Sequence, residues 1–237
     1  MMNSPSSNFL KSFKKAAHGF KSFEFGSFDN QRIVAFHRII PDAPRVLITA
    51  SIHGNEKAGP LGLYSYVVRN KLPDDLSVIL IPIINRYGFD NNTRHNEQDR
   101  DLNRAFNKQL KNDSTDSLEK LVLKLDPDLV LNLHEDGTHK GCYIYIGYED
   151  QHDDAELILK NASRYMTIEK GQTVFKDKCE SGIILTNMHD GRPKTKQTFE
   201  SFLTNNNIPY FTFETSQSFA LKRRAAAQLA AIDSILG

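Results

Sequence analysis

Three continuous apolar segments limit the folds that this chain can adopt. They are RVLITASI at 45–52, SVILIPII at 77–84 and DLVLNLH at 128–134. None of them alternates polar with apolar residues, so each is typical of a strand buried on both faces. Stretches with helical periodicity lie between them, at 61–70 and 116–125. This alternation predicts the α/β class: a three-layer α/β/α sandwich around a twisted, mixed and mainly parallel sheet.

Further segments extend the pattern toward both ends of the chain. Residues 22–27 and 32–40 flank the turn-forming sequence FDNQ and predict a β-hairpin, and YFTFE at 210–214 predicts another strand. Helical periodicity recurs at 153–166, at 198–207 and in the last stretch, SFALKRRAAAQLAAIDSIL. No repeat or low-complexity linker divides the sequence. We therefore expect one hydrolase domain over 1–237, in which 1–20 form an N-terminal tail and a short helix.

Composition excludes several classes of partner. Thirty basic residues stand against twenty-nine acidic ones, so no strong field favours nucleic acid or a membrane surface. No apolar run approaches the roughly 20 residues that span a bilayer. Cys142 and Cys179 form no CxxC pair, which excludes a cysteine-based zinc site. We expect a cytoplasmic protein, and the sequence gives no indication of its oligomeric state.

Polar side chains stand where the predicted strands end. His53 and Glu56 follow the first core strand, His134 ends the third, and Glu214 ends YFTFE. The polar segment 85–104 follows the second core strand. Ligands of such folds bind beyond the carboxyl ends of the strands. We therefore expect these four distant pieces of sequence to converge on one edge of the sheet.

The residue types at this edge suit a metal ion. His53 and Glu56 form an HxxE pair, and His134 supplies the third ligand of a catalytic zinc site with two histidines and one carboxylate. Alone, the HxxE pair is equally compatible with a turn histidine and a solvated glutamate, and His134 with a hydrogen-bonded buried histidine. Asn132 or Asp101 could orient a ligand imidazole.

Two further pieces fit hydrolytic chemistry. Segment 85–104 contains four arginines with asparagines between them, and arginine binds carboxylates through two parallel hydrogen bonds. Glu214 ends an apolar strand, where a charged group is costly unless it is partnered or functional. A carboxylate beside a zinc-bound water can act as general base, because the metal lowers the pKa of that water to about 7.

These residues resemble the zinc carboxypeptidase family. The resemblance rests on HxxE at His53–Glu56, then Arg94, then Asn103–Arg104 within DLNR, then His134, and Glu214 within FTFE. It spans residues 45 to about 216. The aspartoacylase and succinylglutamate desuccinylase group looks similar, since it also has HGNE and DLNR.

The resemblance implies a role for each residue. His53, Glu56 and His134 would bind one zinc ion per chain, and Glu214 would activate water for attack on an amide carbonyl. Arg94 would stabilise the developing oxyanion. The remaining roles are substrate carboxylate binding by Asn103 and Arg104, and support of His53 by Asp101. The expected function is a zinc-dependent, carboxypeptidase-like metallohydrolase whose substrate, a peptide or an acyl-amino acid, carries a free carboxylate.

The sequence departs from the family pattern at one catalytic position. A tyrosine is common about twenty residues before the glutamate, but HDGRPKTKQTFESF has none. Lys194 could substitute, Tyr143 or Tyr145 could reach into the site, or the role could be absent.

Three other functions remain open from sequence. The first is an N-acyl amino acid deacylase. Two features argue against it: Arg94 precedes Asn103 by nine residues, whereas the deacylases place the corresponding arginine closer, and only 23 residues follow Glu214. That is too few for the additional C-terminal domain typical of those deacylases. The second is a non-catalytic zinc-binding module. The third is a two-metal hydrolase, because Glu135, Asp136 and His139 follow His134 closely. A solvated acidic loop is the simpler interpretation of these three residues.

Overall fold

The computed structural model describes residues 4–28, 31–106, 113–186 and 198–237. Ten strands lie in these ranges: β1 Lys21–Phe28, β2 Gln31–Arg38, β3 Arg45–Ala50, β4 Ser77–Ile81, β5 Leu129–Asp136, β6 Tyr143–Ile146, β7 Thr173–Val174, β8 Asp177–Lys178, β9 Ile183–Leu185 and β10 Tyr210–Ser216. The α-helices of the same ranges are α1 Pro5–Ala16, α2 Ala58–Arg69, α3 Arg86–Asn91, α4 Asp113–Leu125, α5 His152–Ala162, α6 Phe199–Asn205 and α7 Leu221–Leu236.

Eight of the strands form one mixed sheet in the order β1-β2-β4-β3-β5-β10-β6-β9. Its centre is parallel, because β3 pairs with both β4 and β5, and β5 pairs with β10. The hairpin β1–β2 joins one side of this centre antiparallel, and β6 joins the other side antiparallel. The structure therefore confirms the predicted mixed, mainly parallel sheet and the N-terminal hairpin.

Alternation along the central strands divides the core into two layers. In β3, Val46 and Ile48 pack in one apolar cluster with residues of α1, α2, α5 and α7. Leu47 faces the opposite cluster, which contains residues of α4 and α6. Because successive side chains of a strand point to opposite faces, a strand that is apolar throughout can serve both layers. This confirms the three-layer α/β/α sandwich.

Short elements depart from the sequence prediction. The sequence predicts no regular element in the polar segment 85–104, but the structure has α3 and a 3-10 turn at Leu102–Arg104 there. The Asn85 side chain accepts a hydrogen bond from the backbone N–H of Gly88 at 2.8 Å and so caps α3. Strands β6 and β9 were not predicted, because runs of three or four residues give almost no periodicity. None of the described helices is both long and apolar enough to cross a lipid bilayer.

Candidate metal centre

A tight turn after β3 carries two of the expected metal ligands. Ser51, the first residue after the strand, has a left-handed backbone with φ of 54°, and the chain then turns through His53 and Glu56. The turn packs directly on α3, because a Cβ added to Gly54 would lie 2.0 Å from the carbonyl carbon of Gly88. Only glycine permits this approach, and the approach fixes the direction in which the two side chains leave the turn.

The structure brings His53, Glu56 and His134 together. Nδ1 of His53 lies 2.7 Å from Glu56 Oε1, and Nδ1 of His134 lies 3.1 Å from Glu56 Oε2. The two imidazole centroids are 5.0 Å apart. One ligand atom from each of the three side chains lies within 4.8 Å of the others, and no other such group occurs within the described ranges. All three residues are buried.

Asp101 supports His53 from the side opposite to Glu56. Its Oδ1 atom lies 3.0 Å from His53 Nε2, and its Oδ2 atom accepts hydrogen bonds from Arg94 Nε and Nη2 at 3.1 and 3.0 Å. The remaining Arg94 nitrogen, Nη1, lies 3.6 Å from Glu56 Oε1, and the Arg94 side chain is 42% exposed. A carboxylate behind a ligand imidazole fixes the ring orientation and its tautomer. Of the two residues expected to orient a ligand, the structure places Asp101 in contact with His53.

Charges in the centre shift the pKa values of its members. Burial alone would lower the pKa of His53, but the Glu56 carboxylate and the hydrogen bonds with Asp101 and Glu56 raise it overall. The pKa of His134 is raised in the same way, with Glu56 outweighing burial. Burial alone would raise the pKa of Glu56, but the two imidazoles hold it well below its usual range. In the metal-free protein, the Glu56 carboxylate therefore stays negatively charged between two imidazoles whose raised pKa values favour the protonated form.

Glu214 lies beside this centre because of strand register. In the parallel pair of β5 and β10, Glu214 is directly opposite His134. Burial raises the pKa of Glu214, and the nearby carboxylates of Glu56, Asp136 and Glu200 raise it further, against the opposing effect of His134. Its Oε2 atom is buried without a hydrogen-bond partner. Such a carboxylate is suited to accept a proton.

The residues present fit a divalent metal ion. Two imidazole nitrogens and a carboxylate are the donor set of many catalytic zinc sites, and both rings here turn Nδ1 toward the same carboxylate. Two buried atoms of this region, His134 Nε2 and Glu214 Oε2, also lack a hydrogen-bond partner. Buried polar atoms in proteins almost always have a hydrogen-bond partner, so these unpartnered atoms indicate a site that is made for a bound group.

Asn103 and Arg104, expected to bind the substrate carboxylate, lie next to the centre but make internal contacts. Asn103 is buried; its Oδ1 accepts a hydrogen bond from the Phe199 N–H at 2.8 Å, and its Nδ2 lies 3.4 Å from Glu200 Oε2. Arg104 is exposed and donates to the Asn103 carbonyl at 2.8 Å. The amide of Asn103 therefore connects the DLNR turn to the first turn of α6.

Glu200 is an acidic residue of this region that the sequence analysis did not identify. Its Oε1 atom accepts hydrogen bonds from Asn132 Nδ2 at 3.0 Å and from Thr212 Oγ1 at 2.9 Å. Asn132 in turn accepts a hydrogen bond from Thr49, so it supports Glu200 rather than a ligand imidazole. A lone acidic residue between the phenylalanines of TFESFL was the signal that could have identified Glu200.

Two of the three candidates for the missing tyrosine lie in the described part of the chain. Tyr143 is fully buried, and its hydroxyl donates to Asp136 Oδ2 at 3.0 Å. Tyr145 is only partly buried. Strand register places Tyr143 opposite Glu214, so both tyrosines share the Glu214 face of the sheet. Lys194, the third candidate, lies outside the described residues.

The acidic residues after His134 have protein partners. Glu135 accepts a hydrogen bond from the Ala58 N–H at 2.7 Å and forms an ion pair with Arg224. Asp136 accepts hydrogen bonds from two backbone N–H groups and from the Tyr143 hydroxyl, and lies 2.6 Å from His139 Nδ1. These contacts favour the structural interpretation of this group over a second metal site.

Solved structures with the same fold cover almost all of the chain. A candidate metallopeptidase from Shewanella amazonensis SB2B is 22% identical, with a TM-score of 0.86 over 98% of this chain and 94% of that one. A metallo-carboxypeptidase from Burkholderia cenocepacia is 14% identical, with a TM-score of 0.75 over 98% and 67%. A metallo-carboxypeptidase from Pseudomonas aeruginosa, solved with (2-guanidinoethylmercapto)succinic acid, is 14% identical, with a TM-score of 0.73 over 99% and 68%. No curated protein sequence matches.

A family model covers more than half of the chain. Residues 42–176 match the succinylglutamate desuccinylase/aspartoacylase catalytic domain. The match includes β3, the turn with His53 and Glu56, the DLNR segment and His134 in β5. Family and fold together indicate a hydrolase of the metallopeptidase or acylase type. The chain belongs to the succinylglutamate desuccinylase/aspartoacylase catalytic domain family.

Proposed function

We propose that the chain is a zinc-dependent hydrolase that cleaves an amide bond next to a terminal carboxylate, in the manner of a metallocarboxypeptidase. The observation that carries this proposal is the convergence of His53, Glu56 and His134, with Glu214 opposite His134 in register. His53 Nδ1, a Glu56 carboxylate oxygen and His134 Nδ1 would hold the metal. When bound, zinc would supply Lewis acidity that polarises the scissile carbonyl and lowers the pKa of water.

Glu214 is the proposed general base. Its unpartnered Oε2 atom would accept the proton of the attacking water and then deliver it to the leaving amine. In the metal-free protein, burial and neighbouring carboxylates raise its pKa toward neutral pH, where a group can both accept and release a proton. Asp101 would keep the His53 Nε2 proton in place, so that Nδ1 stays available as a ligand.

Two arginines would stabilise negative charge, one on the scissile carbonyl oxygen and one on the terminal carboxylate of the substrate. Arg94 is anchored by Asp101 through Nε and Nη2, which leaves Nη1 directed toward Glu56 and the centre. We assign it to the carbonyl oxygen, where charge develops during attack. Arg104 is exposed beside Asn103 and would bind the terminal carboxylate. Asn103 is the other residue assigned to this carboxylate, and it would also need to keep its contacts with α6.

The competing function is deacylation of N-acyl amino acids, which the family match favours. Both reactions cleave an amide next to a carboxylate, so the same residues serve either. The test is to assay zinc-loaded protein with peptides that end in a free carboxylate and with N-acyl amino acids. We expect peptide hydrolysis, abolished in peptides with an amidated C-terminus. Hydrolysis of N-acyl amino acids alone would establish the deacylase instead.

A non-catalytic zinc-binding module is the third function to separate. It predicts zinc in the purified protein but no hydrolysis of either substrate class, and no change of any measured property in Glu214→Gln. Location in the cytoplasm stays a prediction from the sequence, as does the single domain over 1–237.

A further inference from the structure

Glu200 connects the DLNR turn to the two strands that carry His134 and Glu214. Its Oε1 atom accepts hydrogen bonds from Thr212 Oγ1 at 2.9 Å and from Asn132 Nδ2 at 3.0 Å. Thr212 lies two residues before Glu214 in β10, and Asn132 lies two residues before His134 in β5. Alternate residues of a strand share one face of the sheet, so Glu200 is held on the face that bears both functional side chains.

The other carboxylate oxygen of Glu200 reaches Asn103 in the DLNR turn. Asn103 Nδ2 lies 3.4 Å from Glu200 Oε2, and the Phe199 N–H donates to Asn103 Oδ1 at 2.8 Å. Because a backbone N–H can only donate, it requires the oxygen end of the Asn103 amide to face α6. The nitrogen end then faces Glu200. Two consecutive residues of α6 therefore fix the orientation of this amide.

Glu200 suits this position because an ionised carboxylate accepts hydrogen bonds and donates none. Burial alone would raise the pKa of Glu200, but the charge of His134 and hydrogen bonds to the carboxylate lower it overall. The side chains of Asn132, Thr212 and Asn103 all direct a donor at it. A glutamine whose oxygen kept the bonds with Asn132 and Thr212 would direct its NH2 group at the NH2 group of Asn103, so this pair would have no acceptor.

The orientation of Asn103 leaves one N–H for a ligand. Its NH2 group carries two N–H donors, and Glu200 is the only partner of Asn103 Nδ2 in the part of the chain that the structure describes. Arg104, the next residue, is exposed and donates to the Asn103 carbonyl at 2.8 Å. A carboxylate bound by these two neighbours would lie at a fixed distance from the metal centre, because Glu200 anchors the turn to β5 and β10.

We propose that Glu200 is a positioning residue, which acts through Asn103 to fix the place of the substrate's terminal carboxylate relative to the metal centre. The inference rests on the proposed function, which assigns this carboxylate to Asn103 and Arg104. A purely electrostatic role of Glu200 has the opposite consequence. Its negative charge repels a bound carboxylate, so an uncharged side chain of the same shape would strengthen carboxylate binding if charge alone mattered.

The kinetic test uses zinc-loaded Glu200→Gln, which keeps the shape of the side chain. For whichever substrate class is hydrolysed, we expect KM to rise about tenfold, the effect of losing one hydrogen bond to a charged group. The value of kcat should change by less than about twofold, because the metal ligands and Glu214 are unaltered. Thr204→Val is the matched control: Thr204 Oγ1 donates to the Glu200 carbonyl at 3.0 Å and does not contact the carboxylate. This control should lower Tm and leave KM unchanged.

A binding measurement separates this inference from the proposed function. Leucine is an amino acid product of either candidate reaction, and leucinamide lacks its carboxylate, so their dissociation constants are compared by calorimetry on zinc-loaded protein. We expect the native sequence to bind leucine more tightly. Glu200→Gln and Asn103→Ala should each lose most of that preference, and the double variant should lose no more than either alone.

The possible results of the binding measurement differ for the two proposals. If no substrate is hydrolysed, the proposed function fails, and the expected loss of leucine preference would still support the positioning role of Glu200. A preference for leucine that is absent from the native sequence, or unchanged or increased in Glu200→Gln, would overturn it. Losses that add up in the double variant with Asn103→Ala would also overturn it, because Glu200 would then act independently of Asn103.

Discussion

Asp101 Oδ1 lies 3.0 Å from His53 Nε2, on the side of the ring opposite to Glu56. Because this contact fixes the ring and its tautomer, Asp101→Asn should weaken zinc binding by about 10–100-fold. Competition with a chelator of known affinity measures the effect. Asp99→Asn is a matched control in the same loop, since Asp99 is exposed and contacts His95. An unchanged zinc affinity in Asp101→Asn would show that Asp101 does not support the metal site.

Arg94 should matter for catalysis and not for metal content. It reaches the centre only through Nη1, 3.6 Å from Glu56 Oε1, and its assigned task is to stabilise charge on the carbonyl oxygen. We expect Arg94→Ala to lower kcat/KM about 10²-fold while elemental analysis still finds one zinc per chain. Arg100→Ala, which removes an exposed arginine from the same segment, should leave both quantities unchanged. Parallel loss of metal in Arg94→Ala would assign it a structural role.

Zinc binding should release protons. In the metal-free protein the pKa values of His53 and His134 are raised above 6.5, but a ligand nitrogen must be unprotonated. The apparent affinity should therefore fall, and the number of released protons rise, as pH is lowered from about 8 to about 6. Calorimetry in buffers of different ionisation enthalpy counts these protons. Zinc binding that releases none across this range would contradict the ligand assignment.

In the metal-free protein, the same two histidines should make the free energy of unfolding fall as pH rises, whereas zinc affinity should rise. A group whose folded-state pKa is raised contributes stability that is fully present below its unfolded pKa and is lost as pH rises through its folded pKa. The contribution of His53 and His134 to the free energy of unfolding should therefore decline as pH rises from 6.5. To isolate this contribution, Tm is measured in EDTA as a function of pH for the native sequence and for His134→Gln. A contribution that grows with pH would be incompatible with raised pKa values.

Gly54 should tolerate no side chain. Its Cβ would meet the Gly88 backbone at 2.0 Å, so Gly54→Ala forces the ligand turn away from α3. We expect a loss of about 2 kcal/mol or more in the free energy of unfolding together with weaker zinc binding. Gly137→Ala is the control, because its nearest neighbour is the flexible end of Gln217 at 3.2 Å. Gly54→Ala protein with native Tm and zinc affinity would show that the turn is adaptable.

Much of the fold could be predicted because burial leaves a clear sequence pattern. The apolar runs at 45–52, 77–84 and 128–134 correspond to β3, β4 and β5. The polar residues at the ends of these strands lie together because the strands are neighbours in the sheet. Convergence of His53, Glu56 and His134 followed from one geometric rule, that the carboxyl ends of parallel strands meet at one edge. This rule requires no knowledge of any contact.

The contacts of individual polar residues could not be predicted in this way. Asn132 could equally have faced an imidazole or Glu200, since both lie on one face of the sheet, and only the packing of α6 decides between them. Glu200 itself is separated from Asn103 by nearly a hundred residues. The strands β6 and β9 were missed because four residues or fewer carry too little periodicity, although β6 brings Tyr145 to the site.

Metal content of two variants tests whether His134 binds the metal while Glu214, directly opposite it, does not. Zinc per chain is measured by elemental analysis in His134→Ala and in Glu214→Gln, which alter directly opposed residues of β5 and β10. His152→Ala serves as a control for loss of an exposed histidine. We expect no bound zinc in His134→Ala and about one per chain in Glu214→Gln, with kcat reduced about 10²-fold or more in the latter. Zinc retained in His134→Ala, or lost equally from both variants, would contradict this assignment.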